Sequence, residues 1–350
     1  MTSSETLPAP AGPQGGGLPG SGLPGGPGGH QPTTLKGWRA FVAETPAIPA
    51  LLHGDARAAL TPTGRLAYDD LRLAHHARLL VVATPTIRQV AMEGRRLQYL
   101  NRHADAGRCG LILSGPARTG KTTCLMQLGK TIEVIHRQRH PHAGGHIPVI
   151  YLTVPPAATP KMIAFEFARF FGIPLTRRSN ITDVLEAVCG VSLDAATTLI
   201  CVDEIHNLNL GTRHGAEASD TLKYFAERIP ATFVYAGIDV ERAGLLNGPR
   251  GEQIAGRFSM IRTGAFGRGD QWKALIATLE DSLRLHAHRP GVLVELAGYL
   301  HDRSNGMIGS LLRLIRLAAI GAVLDGSEAI TRPSLESIPL DIASESGHRR

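Results

Sequence analysis

The sequence predicts an α/β fold, a parallel sheet sandwiched by helices and followed by a small C-terminal helical lid. Three observations carry that expectation. Apolar runs of strand length, CGLILSG (109–115), IPVIYLTV (147–154), TTLICVDE (197–204) and TFVYAG (232–237), recur through the middle of the chain. Helical stretches alternate with them, among them Thr122 to Arg139 and Lys161 to Phe171, and such alternation implies a parallel sheet with covered faces. Beyond Arg257 one more strand, SMIRTGAF (259–266), gives way to helical patterns alone, from Asp270 to Leu285, Val292 to Arg303 and Ile308 to Leu324.

A chain of 350 residues, 43% hydrophobic, can fill one large or two modest domains. Its 37 Lys and Arg exceed 30 Asp and Glu by seven, and its pI is about 9.5. An anionic partner such as nucleic acid fits that balance, and so does a solvated surface. Cys109, Cys124, Cys189 and Cys201 lie in or beside apolar runs without a C-x-x-C pair, as small core residues do. The start MTSSETLPAP has no basic-then-apolar leader, and no run of about 18 apolar residues occurs. A cytoplasmic setting with no membrane partner is therefore expected.

Residues 1–34 are dominated by Gly and Pro and cannot bury enough apolar area to offset the entropy of ordering, so a disordered tail is expected there. Residues 35–105 read as an N-terminal helical appendage without a core of its own, anchored by Trp38, Phe41, Tyr68 and Leu71 and broken at Pro46, Pro49, Pro62 and Pro85. Its last helix, Pro85 to Arg102, puts Ile87, Val90, Ala91, Leu97 and Leu100 on one face and Arg88, Arg95 and Arg96 largely on the other. An α/β domain over 106–268, a helical lid over 269–340 and a tail over 341–350 complete the organisation.

Gly115-Pro116-Ala117-Arg118-Thr119-Gly120-Lys121-Thr122 matches G-x-x-x-x-G-K-[ST] between an apolar strand and a helical pattern. Glycines let consecutive backbone N–H groups curl around phosphates, and Lys121 neutralises the outer phosphate oxygens. The following helix aims its positive end at them. The loop from Gly115 through Thr122 and Thr123 is thus the expected ATP cradle, with Thr122 a magnesium ligand. About 80 residues later the strand Thr198 to Val202 ends in Asp203 and Glu204. Alone, that is a common way to start a loop. Beside a phosphate loop it becomes a phosphoryl-transfer pair, Asp203 holding the magnesium shell and Glu204 reaching the attacking water as general base.

The segment Asp203-Glu204-Ile205-His206-Asn207-Leu208, the loop GPARTGKTT and the stretch Asn305-Gly306-Met307-Ile308-Gly309-Ser310-Leu311-Leu312-Arg313-Leu314-Ile315-Arg316 together resemble the TniB family of AAA+ transposition ATPases, from about Tyr68 to Leu340. The resemblance implies a P-loop NTPase that forms a homo-oligomer on duplex DNA, connects a target-selection protein to a DDE-type transposase and is cleared by ATP hydrolysis. It also implies a role for Arg257, in Gly256-Arg257-Phe258, as the arginine finger completing a neighbour's ATP site; a solvated arginine at a strand start is the plainer alternative, and Arg250 is a second candidate. In such proteins a polar residue senses the terminal phosphate where this chain has Ile238, so either Asp239 substitutes or the sensor is weakened. Arg313 is the nearest lid arginine. A helicase loader, a secretion ATPase or a nucleotide-switched scaffold with little hydrolysis would share the nucleotide motifs.

Other signals have plainer readings. His136, His140, His142 and His146 span a Pro-Gly turn and read as a surface loop, not a metal site. Leu311, Leu312, Leu314, Ile315 and Leu317 read as the core face of a lid helix. Asp69 and Asp70 read as a solvated helix start. Arg137 with Arg139, or Arg177 with Arg178, could face a phosphate backbone or be ordinary surface charge.

Overall fold

The computed structural model describes residues 31–340 apart from 79, 177, 178, 209, 210, 243, 244 and 247. The expected 341–350 tail, nearly all of the expected 1–34 tail, Arg177, Arg178 and the Arg250 side chain lie outside that description. Five parallel strands form one sheet in the order β2-β3-β4-β1-β5. They are β1 (Gly110–Gly115), β2 (Val149–Thr153), β3 (Leu199–Asp203), β4 (Thr232–Ile238) and β5 (Phe258–Arg262). β1 and β3 are buried along their whole length, as strands covered on both faces must be. In register, Gly115 pairs with Ile238 and Thr153 with Asp203. Because β4 lies between β1 and β3, its end separates the phosphate loop from the acid pair.

Helices α1 (Leu35–Ala43), α2 (Gly54–Ala58), α3 (Pro62–Ala77) and α4 (Pro85–Asn101) precede the sheet. Threonine followed by proline starts α3 and α4, and also α6 (Pro160–Phe171). In each, the threonine Oγ accepts from an N–H of the first turn while proline occupies a position that needs no donor. Pro62 and Pro85 therefore break the chain by beginning helices. Helix α5 (Lys121–Arg139) crosses the sheet beside α4, and a Cβ on Gly94 would come 2.6 Å from Leu128, so glycine permits that close approach. Helices α7 (Ile181–Asp194), α8 (Arg213–Arg228) and α9 (Gly248–Ala255) complete the α/β part.

After β5 come α10 (Asp270–Asp281), α11 (Val292–Glu295), α12 (Ala297–Ser304), α13 (Ile308–Leu324) and α14 (Arg332–Glu336). They enclose a second apolar core around Trp272, Leu300 and Leu314, separate from the core around the sheet. The helix expected from Val292 to Arg303 is divided at Leu296 into α11 and α12. Gly306 (φ 67°) makes the turn into α13, where a Cβ would lie 2.4 Å from the Phe266 carbonyl. Leu311, Leu312, Leu314 and Ile315 are buried, whereas Leu317 is exposed because it falls beyond the core-facing arc.

The N-terminal helices belong to both cores. Trp38 of α1 is fully buried, stacked on Tyr151 of β2 with ring centroids 5.8 Å apart. Helix α3 lies instead against α13. Its fully buried Arg72 donates to both carboxylate oxygens of Glu328 (2.6 and 2.8 Å) and to Asp69 (2.5 Å). Asp69 is therefore a buried cation's partner in mid-helix, not a solvated helix start. Leu71, expected as an anchor, is 60% exposed, because Tyr68, Arg72 and His76 form the buried stripe. On α4, likewise, Val90, Gly94 and Leu97 face inward and Leu100 is 63% exposed.

Candidate nucleotide-binding site

A Cβ on Gly115 would sit 2.1 Å from the Thr263 carbonyl, so only glycine lets β1 end against the segment leaving β5. The chain then turns through left-handed backbone at Arg118 (φ 66°) and Gly120 (φ 87°) into α5. No side chain caps this helix. Cys124 is the first residue to bond back, to the Gly120 carbonyl at 2.9 Å, so the N–H groups of Lys121, Thr122 and Thr123 have no acceptor within the helix. Those donors, at the positive end of a 19-residue helix, form an anion site. Thr119 Oγ1 donates to the Pro116 carbonyl (2.9 Å) and meets Thr263 Oγ1 (2.6 Å), which pins the loop to the end of β5.

Lys121 is 8% exposed, and its ammonium donates to the carbonyls of Gly115 (2.8 Å) and Pro116 (2.6 Å). Burial pulls its pKa down, against the opposing charges of Glu204, Asp203 and Asp239. A phosphate would supply the negative charge that this desolvated cation favours.

Asp203 closes β3 and is 3% exposed. One oxygen accepts from the Glu204 N–H (2.9 Å) and the other from the Tyr151 hydroxyl (3.0 Å). Burial and the Asp203 charge raise the Tyr151 pKa, so the phenol remains a donor. Glu204 adopts left-handed backbone (φ 56°), which brings a side chain only partly buried to the cleft. Arg118, Glu204 and Asp239 (φ 38°) are three of seven non-glycine residues with positive φ among the described residues, so backbone strain concentrates here.

A cleft of about 300 Å³ runs beside the loop from Ala117 to Cys124. Glu204 and Ile238 line it together with the loop; Leu80, Val81, Val82 and Ile87, with Phe266, Ile308 and Leu312 from the lid side, give it apolar walls. Such a cleft suits a polyanion joined to a flat base. The donors fit magnesium as well: the Thr122 hydroxyl and the Asp203 carboxylate are hard oxygen ligands, and this ion takes few protein ligands, drawing the rest from phosphate and water. Among the described residues no group of three His, Cys, Asp or Glu side chains is placed to hold a metal by itself. The histidine cluster packs together instead, with His136 Nε2 3.0 Å from His146 Nδ1. Burial first, then the neighbouring charges of His140, His146 and Arg137, lowers the His136 pKa to about 4.

The structure gathers Ala117, Arg118, Thr119, Gly120, Lys121, Thr122, Thr123 and Glu204 along one cleft. Gly115, Pro116 and Asp203 lie beneath it, touching Lys121 or fixing the Glu204 backbone. Arg257 is elsewhere. Its carbonyl accepts from Gly110, at the opposite end of β1 from the loop, about 16 Å away at the usual strand rise. Its side chain is exposed and borders a second cavity of about 300 Å³ with Lys223, Gln253 and Phe258. Arg313 is exposed and does not line the nucleotide cleft. Asp239 donates its N–H to the Gly115 carbonyl (3.2 Å). Arg137 is engaged by Glu133 and the carbonyls of Ala143 and His146, whereas Arg139 donates to the Tyr99 hydroxyl.

Tyr151, Thr263 and the wall from Leu80 to Ile87 carry no motif of their own, and Gly309 lies in a recognised string that says nothing of its contact with the loop. Tyr151 shares a strand with Thr153, the register partner of Asp203, but sequence cannot reveal which strands pair.

Sheet order and phosphate loop together define a P-loop nucleotide-binding fold of the AAA+ ATPase class. Solved structures share it. The Aeropyrum pernix ORC2 protein in ADPNP-ADP complexes matches with TM-score 0.57 and 18% identity, over 75% of this chain and 69% of that one. The ADP form of ORC2 gives 0.56 and 18%, over 75% and 70%. The Aeropyrum pernix ORC1 protein in complex with DNA gives 0.54 and 16%, over 75% and 65%. No protein of curated function matches the sequence. The family model described as "Bacterial TniB protein" matches residues 80–267, more than half of the chain, and the chain belongs to that family. Helices α1 to α3 and the lid lie outside the match.

Proposed function

We propose that this protein binds ATP with magnesium in the cleft beside Lys121 and hydrolyses it, and that it serves as an ATP-dependent regulator of DNA transposition. In that role it assembles as a homo-oligomer on duplex DNA between a target-selection protein and a DDE-type transposase. One observation carries the enzymatic part: Lys121, the uncapped start of α5 and the Glu204 carboxylate border the same cleft.

The N–H groups of Lys121 to Thr123 and the Lys121 ammonium bind and orient the phosphates. Magnesium, held through Thr122 and Asp203, would screen charge on the phosphate oxygens. Glu204 orients the attacking water and takes its proton. Arg257 of one subunit would act at another's site, since it lies far from its own phosphate loop.

A basic surface supports the DNA reading. The Arg102 guanidinium lies 5.0 Å over the Tyr99 ring, Arg139 donates to the Tyr99 hydroxyl at 3.3 Å, and Arg95 borders the same shallow groove. No carboxylate lines that groove among the described residues. Among the described residues no single helix is long and apolar enough to cross a membrane. The test is titration of labelled duplex at two salt concentrations with and without ATP. Expected are ATP-promoted binding that weakens steeply with salt and its loss in an Arg102→Glu, Arg139→Glu double variant. Absence of binding at low salt would remove the DNA part of the proposal.

A further inference from the structure

The family resemblance leaves no polar side chain at Ile238 to connect the end of β4 with the nucleotide. The structure supplies a different connection. The backbone N–H of Ile238 donates to His206 Nδ1 at 3.2 Å. An imidazole nitrogen that accepts a hydrogen bond carries no proton, so the ring proton of neutral His206 resides on Nε2. That edge faces Glu204 Oε2 at 3.3 Å. His206 thus stands between the β4 backbone and the carboxylate proposed as the general base.

Two further features make the placement specific. His206 belongs to a single 3₁₀ turn (Ile205–Asn207) anchored through its last residue, with Asn207 Nδ2 donating to the Val154 carbonyl (2.8 Å) and the Asn207 N–H to the Glu204 carbonyl (2.9 Å). The turn can press against β4 because residue 237 is glycine; a Cβ there would lie 2.7 Å from Ile205 Cγ2 and 3.1 Å from the His206 backbone nitrogen. On the other side of Ile238, the Asp239 N–H donates to the Gly115 carbonyl (3.2 Å), and that carbonyl also accepts from Lys121. Phosphate loop, β4 end, imidazole and Glu204 are consecutive contacts.

We infer that His206 is a positioning residue: its imidazole fixes the orientation of the Glu204 carboxylate and transmits to it the arrangement of the phosphate loop through the backbone of β4. The Ile238 side chain is then free to be apolar, because the strand contributes its N–H. The inference rests on the proposed hydrolytic role of Glu204. Phenylalanine preserves the ring and removes both nitrogens, whereas glutamine offers one acceptor and one donor on a flexible chain.

The experiment compares His206→Phe, His206→Gln and Glu204→Gln in steady-state ATP hydrolysis and in binding of a fluorescent ATP analogue. His206→Phe is expected to lower kcat by about 10- to 100-fold through misorientation of the base, with KM and analogue affinity within about twofold of wild type. His206→Gln should recover part of the lost kcat. Normal kcat in His206→Phe beside an inactive Glu204→Gln overturns the role of His206 alone. Equal losses in the Phe and Gln variants with intact nucleotide affinity also overturn it, because the paired acceptor and donor would then not matter. Wild-type turnover in Glu204→Gln overturns the base assignment, and the inference with it.

Discussion

The backbone N–H of Gly309, in the first turn of lid helix α13, donates to the Arg118 carbonyl of the phosphate loop at 3.0 Å. A Cβ at Gly309 would stand 3.0 Å from Arg118 Cβ and 3.1 Å from its carbonyl oxygen, so any side chain there presses on the phosphate loop and a bulky one must displace it. Lid and phosphate loop are in direct backbone contact. Gly309→Val is expected to displace the loop and weaken nucleotide affinity about tenfold or more, a loss of about 1.4 kcal/mol. In the same helix Gly321, where a Cβ would meet nothing within 4 Å, provides the control: Gly321→Ala should leave affinity unchanged. Fluorescent nucleotide titration of the two variants measures both outcomes.

Trp38 lies outside the family match yet is fully buried, stacked on the Tyr151 ring whose hydroxyl holds Asp203. Trp38→Ala should cost about 3–5 kcal/mol in urea denaturation, the usual penalty for emptying a large aromatic site. A loss below about 1 kcal/mol would mean that α1 is a dispensable attachment.

The contact of α3 with the lid should fail in acid. Burial works against the charge of Glu328, but the hydrogen bonds and charge of Arg72 outweigh it and hold the carboxyl below its ordinary pKa. Its stabilisation is complete above the unfolded carboxylate pKa of about 4.3 and is lost as pH falls through the lower folded value. Burial, aided by the neighbouring charge of His75, lowers His76 to about 4, so its contribution is present above about pH 6.5 and is lost between there and pH 4. Both groups favour the folded state less as pH falls. Thermal melts from pH 7 to pH 3 should therefore show a falling midpoint, with His76→Phe reducing the slope between pH 6.5 and 4. Glu328→Gln should be destabilised at pH 7 by about 1–3 kcal/mol, because it leaves Asp69 to balance the buried Arg72 in place of the lost carboxylate.

The sheet and phosphate loop were legible because each is local: β1, the loop and α5 are contiguous, and the apolar runs coincide with all five strands. Helix Ile308–Leu324 has the bounds expected from its pattern. Contacts between distant segments were not legible. Arg72 meets Glu328 across 256 positions, so nothing near Arg72 signals its burial. Helices α7 and α8 were not delineated, and the Leu80 to Ile87 wall became part of the cleft only by folding over the loop. His206 stood inside a recognised string without a function, because its partner Ile238 lies 32 residues away.

Arg257 tests assembly. Its exposed side chain lies at the opposite end of β1 from the phosphate loop, and its proposed role at a neighbour's ATP site requires a site shared between subunits. Specific activity should rise with protein concentration. Mixing Arg257→Ala with Glu204→Gln should restore turnover that neither variant has alone, because one mixed interface combines both intact residues. Hydrolysis by a monomer, verified by sedimentation under assay conditions, would return Arg257 to the surface.

The most direct test of the central claim is to measure ATP affinity and phosphate release on the same preparations of wild type, Lys121→Ala and Glu204→Gln. Lys121→Ala should lose most nucleotide binding, because the phosphates lose their principal cationic side chain. Glu204→Gln should bind ATP within about twofold of wild type and release phosphate at least about 100-fold more slowly, since an amide keeps the shape but cannot take the proton from water. Unchanged affinity in Lys121→Ala, or phosphate release at the wild-type rate in Glu204→Gln, would contradict the site and the mechanism built on it.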